Sequence, residues 1–385
     1  MGIGAAFATA SAQTTAPANA GVAPVATALA PTSAALPSLG AVLLIMRKVA
    51  DWQLANPSKD PPDGWVNAVF YTGVMALARL LPAPNTFLAA MTTMAENNQW
   101  EPARRVYNAD DHAVTQTYLE LAELAPAPER LAPTRQRFDT ILAQPKDDDL
   151  DFSKTGAQQK WSWCDALFMD PPAWVRLAHL TGDKDYLDSA NRRWWVASDY
   201  LYDKNEHLFY RDSKYFTARE PNGEKIFWSR GNGWVIAGLA RVIPYLPADY
   251  PDRPKYLREF QDMATVIQAL QQPDGLWRPG LLDPAAHPQP ETSGTGLFTF
   301  ALAWGINHGL LDRAAYEPTV LRGWNALTRC VGPDGKLGNV QPVGETPRPF
   351  NASSTAPFGV GAFLLAGSEV YKMVSGPATS GGAQR

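Results

Sequence analysis

Residues 294–310 read GTGLFTFALAWGINHGL, with no acidic side chain, lysine or arginine and with glycine, alanine and aromatics on every side of a helical wheel. A helix that is apolar all round has to be buried all round. The stretch that follows, 316–330 (YEPTVLRGWNALTRC), is instead amphipathic and carries charge on one side. It suits the outer layer of a protein. The same alternation extends in both directions from this pair. Buried helices are expected at Val66 to Leu80, Asp111 to Leu124, Asp165 to Leu180, Gly233 to Leu246, Gly294 to Leu310 and Thr355 to Met373. Amphipathic ones are expected at Gly40 to Ala55, Pro84 to Asn97, Pro128 to Ala143, Asp185 to Tyr200, Pro254 to Gln271 and Tyr316 to Cys330. Strand-like alternation is nearly absent. Six buried and six amphipathic helices in alternation meet the requirement of an all-α, (α/α)6 barrel, a six-hairpin toroid whose inner ring is shielded by an outer one. An open helical solenoid is disfavoured, because these inner segments are too uniformly apolar to line a broad wet groove.

The punctuation repeats as well. The turns His207 to Asp212, Pro273 to Arg278 and Pro333 to Gly338 echo one another in position, each leading through polar residues into the next inner helix. The domain is expected to span 39–373. Residues 1–38, rich in Ala, Thr, Pro and Ser, read as a leader or disordered segment, and 374–385 as a disordered tail. Ala10-Ser11-Ala12 resembles a signal-peptidase site without a basic segment before it. The expectation is a periplasmic or secreted protein if this is a signal peptide, and a cytoplasmic one otherwise.

Composition removes several functions. The 385 residues are 45% hydrophobic and 19% charged, with a net charge of −4 and no concentrated basic stripe, which argues against nucleic acid. No apolar run near the N-terminus approaches a membrane span, so no membrane partner is expected. Cys164 and Cys330 cannot form a disulfide framework or a four-cysteine zinc site, and five scattered histidines lack metal-binding spacing. Neither a metal nor a cofactor is expected. Thirteen Trp, 13 Tyr and 15 Phe hint at a carbohydrate cleft.

In such a barrel the inner helices run the same way, so the turns leading into them converge on one mouth. Asn108-Ala109-Asp110-Asp111-His112 precedes the second inner helix. Trp161-Ser162-Trp163-Cys164-Asp165 precedes the third, and puts the Asp165 carboxylate in an aromatic, partly desolvated setting that raises its pKa toward proton donation. Phe227-Trp228-Ser229-Arg230-Gly231-Asn232-Gly233-Trp234 precedes the fourth and supplies a guanidinium fork and flat rings. Helix capping is the competing explanation for each aspartate, and core filling for each tryptophan. Cys164 lacks a partner base and reads as a buried filler.

Three segments together, Trp163-Cys164-Asp165-Ala166-Leu167-Phe168-Met169, Trp228 to Trp234 and Glu291-Thr292-Ser293-Gly294-Thr295-Gly296, resemble the signatures of glycoside hydrolase family 105, the unsaturated rhamnogalacturonyl hydrolases. The resemblance runs in element order from about residue 40 to 373. It implies an (α/α)6 barrel acting on oligosaccharides that end in a 4,5-unsaturated uronic acid. By the same resemblance Asp165 matches the catalytic acid, and Asp111, preferred over Asp110, the second acid. Trp163, Trp228, Arg230 and Trp234 match substrate-holding positions, with Arg230 on the substrate carboxylate. Arg211 stands in a loop where some relatives carry a substrate-binding histidine. Rival readings are an unsaturated glucuronyl hydrolase of ulvan or glycosaminoglycan fragments, a sugar epimerase, and a non-catalytic sugar-binding toroid.

Overall fold

Uniform burial is what the inner segments require, and the computed structural model, which describes residues 1–2, 36–146 and 149–376, provides it with a closed ring of helices. Most of the expected leader and the tail beyond residue 376 lie outside the described residues. The helices below all fall in the unit Ala34–Arg385.

In chain order they are α1 (Leu39–Ala55), α2 (Trp65–Ala78), α3 (Thr86–Asn97), α4 (Thr115–Leu124), α5 (Pro128–Ala143), α6 (Ala166–Met169), α7 (Pro171–Thr181) and α8 (Lys184–Leu201). They continue with α9 (Ser229–Val242), α10 (Arg253–Ala269), α11 (Thr292–Asn307), α12 (Arg313–Arg329) and α13 (Pro357–Val374). A two-residue hairpin, β1 (Tyr202–Asp203) with β2 (Leu208–Phe209), follows α8. The inner ring is α2, α4, α7, α9, α11 and α13, each packed on the next, and α13 returns to pack on α2. Outside it, α1 covers α13 and α2, α3 covers α2 and α4, α5 covers α4 and α7, α8 lies on α7, α10 on α9, and α12 on α11 and α13.

Sequence explains the two layers. Every residue of α11 from Thr292 to Ile306 is buried. On α8 the buried residues Tyr186, Ala190, Arg193, Trp194, Ala197 and Leu201 fall at helical spacing on one stripe. Where α13 meets α2, glycine permits close approach of the backbones. A Cβ on Gly73 would sit 2.6 Å from the Gly361 carbonyl oxygen, and one on Gly361 only 2.2 Å from that of Val69. The repeated turns also match one another. Their equivalent positions, His207, Gly275 and Gly335, all have positive φ, at 53°, 91° and 101°.

Three helix starts differ from expectation. The third inner helix is two pieces, α6 and α7, because Pro171 and Pro172 lack the N–H groups that would continue the ladder. The fourth begins at Ser229 rather than Gly233, so Arg230 lies in its first turn. The second is preceded by a 3-10 turn, Ala109–His112, rather than beginning at Asp111.

The end opposite the mouth carries a charge cluster. Glu120 on α4 accepts from Arg241 on α9 at 2.8 Å and from Arg176 on α7 at 3.2 Å, and these arginines hold its carboxyl below the usual range despite burial. Among the described residues no helix is long and apolar enough to cross a membrane.

The seam gives a first prediction. Gly361→Ala should cost about 1–3 kcal/mol in urea unfolding, since the facing atoms are backbone and cannot yield. Gly40→Ala, where a Cβ meets nothing within 4 Å, should change stability by no more than about 1 kcal/mol.

Candidate active site

A parallel inner ring delivers the starts of its helices to one end, and the acidic side chains there divide into those that cap helices and those that do not. Glu291 caps. Its carboxylate accepts from Ser293 N at 2.9 Å and Gly294 N at 2.6 Å at the start of α11. Asp165 occupies the N-cap position of α6 yet makes no side-chain cap hydrogen bond. Its carboxylate is therefore free of the structural duty that competes with chemistry.

Asp165 is 9% exposed, among Trp161, Trp163, Cys164 and Phe168, which are all buried. Burial raises its pKa, against the opposing pull of Arg211, Cys164 and Arg230. The Cys164 thiol donates to Oδ2 at 3.4 Å, and Arg211 Nε lies 3.7 Å from the same oxygen. Backbone fixes this pairing, because Cys164 N donates to the Arg211 carbonyl at 2.8 Å. Burial likewise lifts the Cys164 thiol well above its ordinary range, consistent with a filler rather than a nucleophile.

The two adjacent aspartates differ in their partners. Asp111 is held by Arg105, whose backbone N, Nε and Nη2 reach it at 2.6, 2.9 and 2.5 Å, so it is spent on fixing the loop. Its neighbour Asp110 is partly exposed, and among the described residues no group donates to its carboxylate. Burial first, and then the charge of Asp165, push its pKa from 3.8 up to about 7, while Arg105 and Arg211 pull the other way. Asp110 feels the charge of Asp165, and Arg211 acts on both carboxyls.

A buried post ties the two acidic segments together. His112, fully buried, faces the Val106 carbonyl through Nε2 at 2.9 Å and Asp170 Oδ1 through Nδ1 at 3.0 Å. Asp170 also accepts from Trp161 at 2.9 Å and Trp174 at 2.8 Å. The turn bearing Asp110 is thereby fastened to the residue that follows α6.

The expected substrate-holding residues are in place but mostly enclosed. Arg230 has no exposed surface. It donates to Gln341 O at 2.5 Å, Pro342 O at 2.8 Å and Ser293 Oγ at 3.3 Å, with its guanidinium 4.4 Å from the Trp228 ring and 4.7 Å from that of Phe358. Burial pushes its pKa down to about 10. Its Nη1 and Nη2 anchor the loop before α13, its Nε has no partner among the described residues, and its field reaches Asp165. Trp228 donates to Gln341 Oε1 at 2.8 Å, and Trp234 packs against Trp65 and Phe168. With Trp163, both are buried, and core packing accounts for them better than an open stacking platform.

Arg211 is the second arginine at this end. It is anchored by Asp212 at 2.6 Å and lies 4.7 Å from the Phe152 ring, while its Nη1 also faces Glu345 at 3.5 Å. A cavity of about 570 Å³ opens beside it, lined by Arg105, Tyr107, Asn108, Phe152, Lys154 and Gln159 among others. Asp165 is not among the residues that line this space. Sequence reading passed over Phe152, Lys214 and Glu345, since only the fold brings 152, 214 and 345 together. The spacing of Lys214 three residues after Arg211 was the one local signal.

A closed helical toroid with desolvated paired acids at one mouth defines a carbohydrate-processing enzyme of the six-hairpin class. The profile of glycosyl hydrolase family 88 matches residues 43–374, and the chain belongs to that family and is a glycosidase. An unsaturated 3S-rhamnoglycuronyl hydrolase of Formosa agariphila is 41% identical over 341 residues, covering 85% of this chain and 90% of the relative. Among solved structures, a protein described as a polysaccharide lyase is 34% identical with a TM-score of 0.80, covering 88% of this chain and 99% of that one. A possible family 105 member from Salmonella enterica shares the fold at 17% identity and a TM-score of 0.73, over 91% and 99% of the two chains.

The raised Asp110 carboxyl makes stability depend on pH. Below 3.8 folded and unfolded chains both hold its proton; as pH rises to about 7 the unfolded chain releases it first, and native stability falls. Asp110→Asn removes that loss. Relative to wild type it should gain about 1–3 kcal/mol in urea unfolding at pH 8 over its effect at pH 4, allowing for partial exposure.

Proposed function

We propose that the mouth removes a 4,5-unsaturated uronic acid from the non-reducing end of lyase-generated oligosaccharides by hydrating its C4=C5 double bond. The single observation that carries this is the uncapped, desolvated Asp165 carboxyl beside Asp110 and Arg211. Such an acid keeps its proton to higher pH and is poised to give it up.

The substrate's double bond is an enol ether conjugated with a carboxylate. Asp165 delivers a proton to C4, leaving positive charge shared between C5 and the ring oxygen. Water adds at C5 and loses its proton to the carboxylate pair, where Asp110 lies within the field of Asp165. The resulting hemiketal opens the ring, and the rest of the sugar chain departs from C1. No displacement at the anomeric carbon occurs, so the carboxylate spacing that separates retaining from inverting glycosidases does not govern the outcome. Arg211 lowers the cost of a carboxylate at the mouth and tempers the rise in the Asp165 pKa.

The name of the Formosa agariphila relative, a 3S-rhamnoglycuronyl hydrolase, supports a rhamnose-bearing fragment over a glycosaminoglycan one and leaves the choice between galacturonyl and glucuronyl open. An epimerase is disfavoured because His112, the histidine of the segments leading into the inner helices, is wholly buried between the Val106 carbonyl and Asp170.

Asp165→Asn should reduce the loss of ultraviolet absorbance from unsaturated oligosaccharides by about 10²–10⁴-fold. Wild-type kcat should decline as rising pH strips the acid of its proton. Substantial turnover by the Asn variant would remove Asp165 as the donor. A lyase acting on intact polysaccharide would make absorbance rise instead, so the same cuvette separates the two chemistries.

A further inference from the structure

Two groups converge on one oxygen of the acid. The Cys164 thiol donates to Asp165 Oδ2 at 3.4 Å, and Arg211 Nε stands 3.7 Å from that same atom. Among the described residues no other side chain hydrogen-bonds or ion-pairs with this carboxyl, which caps no helix. The two oxygens are therefore unequal. Oδ2 is the oxygen that accepts, and Oδ1 is left to carry the proton that the reaction uses.

The sulfur has little freedom to turn away. Cys164 has no exposed surface, and a Cβ on Gly231, in the first turn of α9, would come within 3.0 Å of Sγ, so the start of that helix packs against the thiol. Its backbone N–H donates to the Arg211 carbonyl at 2.8 Å, while Asp212, fully buried, anchors the Arg211 guanidinium at 2.6 Å. One residue thus ties the acid to the cation that faces it. Burial lifts the thiol well above its ordinary range, so it keeps its proton and remains a donor. The charged groups around the carboxyl are Arg211 and Asp212 from the turn after β2, Arg230 from α9 and Asp110 from the turn before α4. Arg211 and Arg230 favour its ionised form, and the thiol is the uncharged donor of the set.

We propose that Cys164 is a positioning residue for the acid: its thiol holds Asp165 Oδ2 as the accepting oxygen, directs the transferable proton to Oδ1 and sets the acidity of that proton. This deepens the hydration reading and rests on it. In the donating step the Oδ1–H bond breaks as the C4–H bond forms, and the charge left on the carboxylate is shared with Oδ2, where the thiol and the guanidinium already face it. A hydrogen bond that strengthens as this charge develops favours the transition state over the ground state and eases the transfer. A thiol suits the place because it is a weak donor. It tempers the rise that burial imposes without holding the carboxyl permanently ionised.

The test uses the full chain. Turnover of lyase-generated unsaturated oligosaccharides is followed across pH, and the S–H stretch is followed by infrared spectroscopy in a Cys330→Ser chain, which retains a single thiol. Cys164→Ala should move the alkaline limbs of kcat and kcat/KM up by about 0.5–1 pH unit, because the ionised carboxyl has lost a donor. Its kcat plateau should fall with KM unchanged, because a weaker acid protonates C4 more slowly. Cys164→Ser supplies a stronger donor and should bring the limbs back to their wild-type position or below it. The S–H band should move to lower frequency as the carboxyl ionises, with the midpoint of the kcat/KM limb. A sulfur that only fills space would cost stability and leave the limbs alone, so a folded Cys164→Ala with wild-type limbs overturns the proposal. A band that stays fixed across pH overturns it as well, and decides alone if the Cys164 variants fail to fold. A band that titrates in a chain leaving every unsaturated oligosaccharide intact defeats the hydrolase reading and leaves the coupling of thiol and carboxyl standing.

Discussion

Closure of the inner ring is the constraint on which the rest depends. The helices α2 and α13 lie at opposite ends of the chain, and they meet because Gly73 and Gly361 let one backbone come against the other. Without that contact the six inner helices would form an open arc, each with an apolar flank in water. With it, all six are shielded and their N-terminal turns converge. The chemistry is thus a consequence of the packing: residues as distant in sequence as 110, 165, 211 and 345 share one mouth only because a circle has been closed.

Within that mouth, solvent exclusion sorts identical residue types into different tasks. Asp111 is neutralised by Arg105, Asp170 by His112 and its tryptophan donors, and Glu291 by the backbone of α11. Asp165 and Asp110 are left short of donors, and their carboxyls are the ones burial pushes up. The arginines divide likewise. Arg230 is fully buried and donates to two carbonyls, whereas Arg211 turns one nitrogen toward Asp165 and another toward the half-exposed Glu345. A buried ion with satisfied partners is a fastening, and an undersatisfied one at a pocket edge is available for reaction.

The layers of the fold were legible because burial on all sides and burial on one side leave different periodicities, as in 294–310 against 316–330. Helix starts were less legible. Ser229 and Arg230 lie inside α9 rather than ahead of it, and Pro171 splits α6 from α7. Of the site, Asp165 was legible from its apolar and aromatic neighbours and from the three motifs. The different surroundings of Asp110 and Asp111 were not, since adjacent aspartates in one turn differ only in their neighbours, and only the fold brings Arg105 onto Asp111.

By itself, then, the sequence determined the helical alternation, the parallel inner ring and the acid at its mouth, because these follow from local hydrophobic pattern and from residues close in the chain. Which aspartate is held by Arg105, which arginine is fully buried and which lies against Asp165, and the meeting of Lys214 with Glu345 were decided only by tertiary structure. The physical reason is that a side chain's charge state and availability depend on how many donors and how much water surround it. Those neighbours arrive from segments more than a hundred residues away.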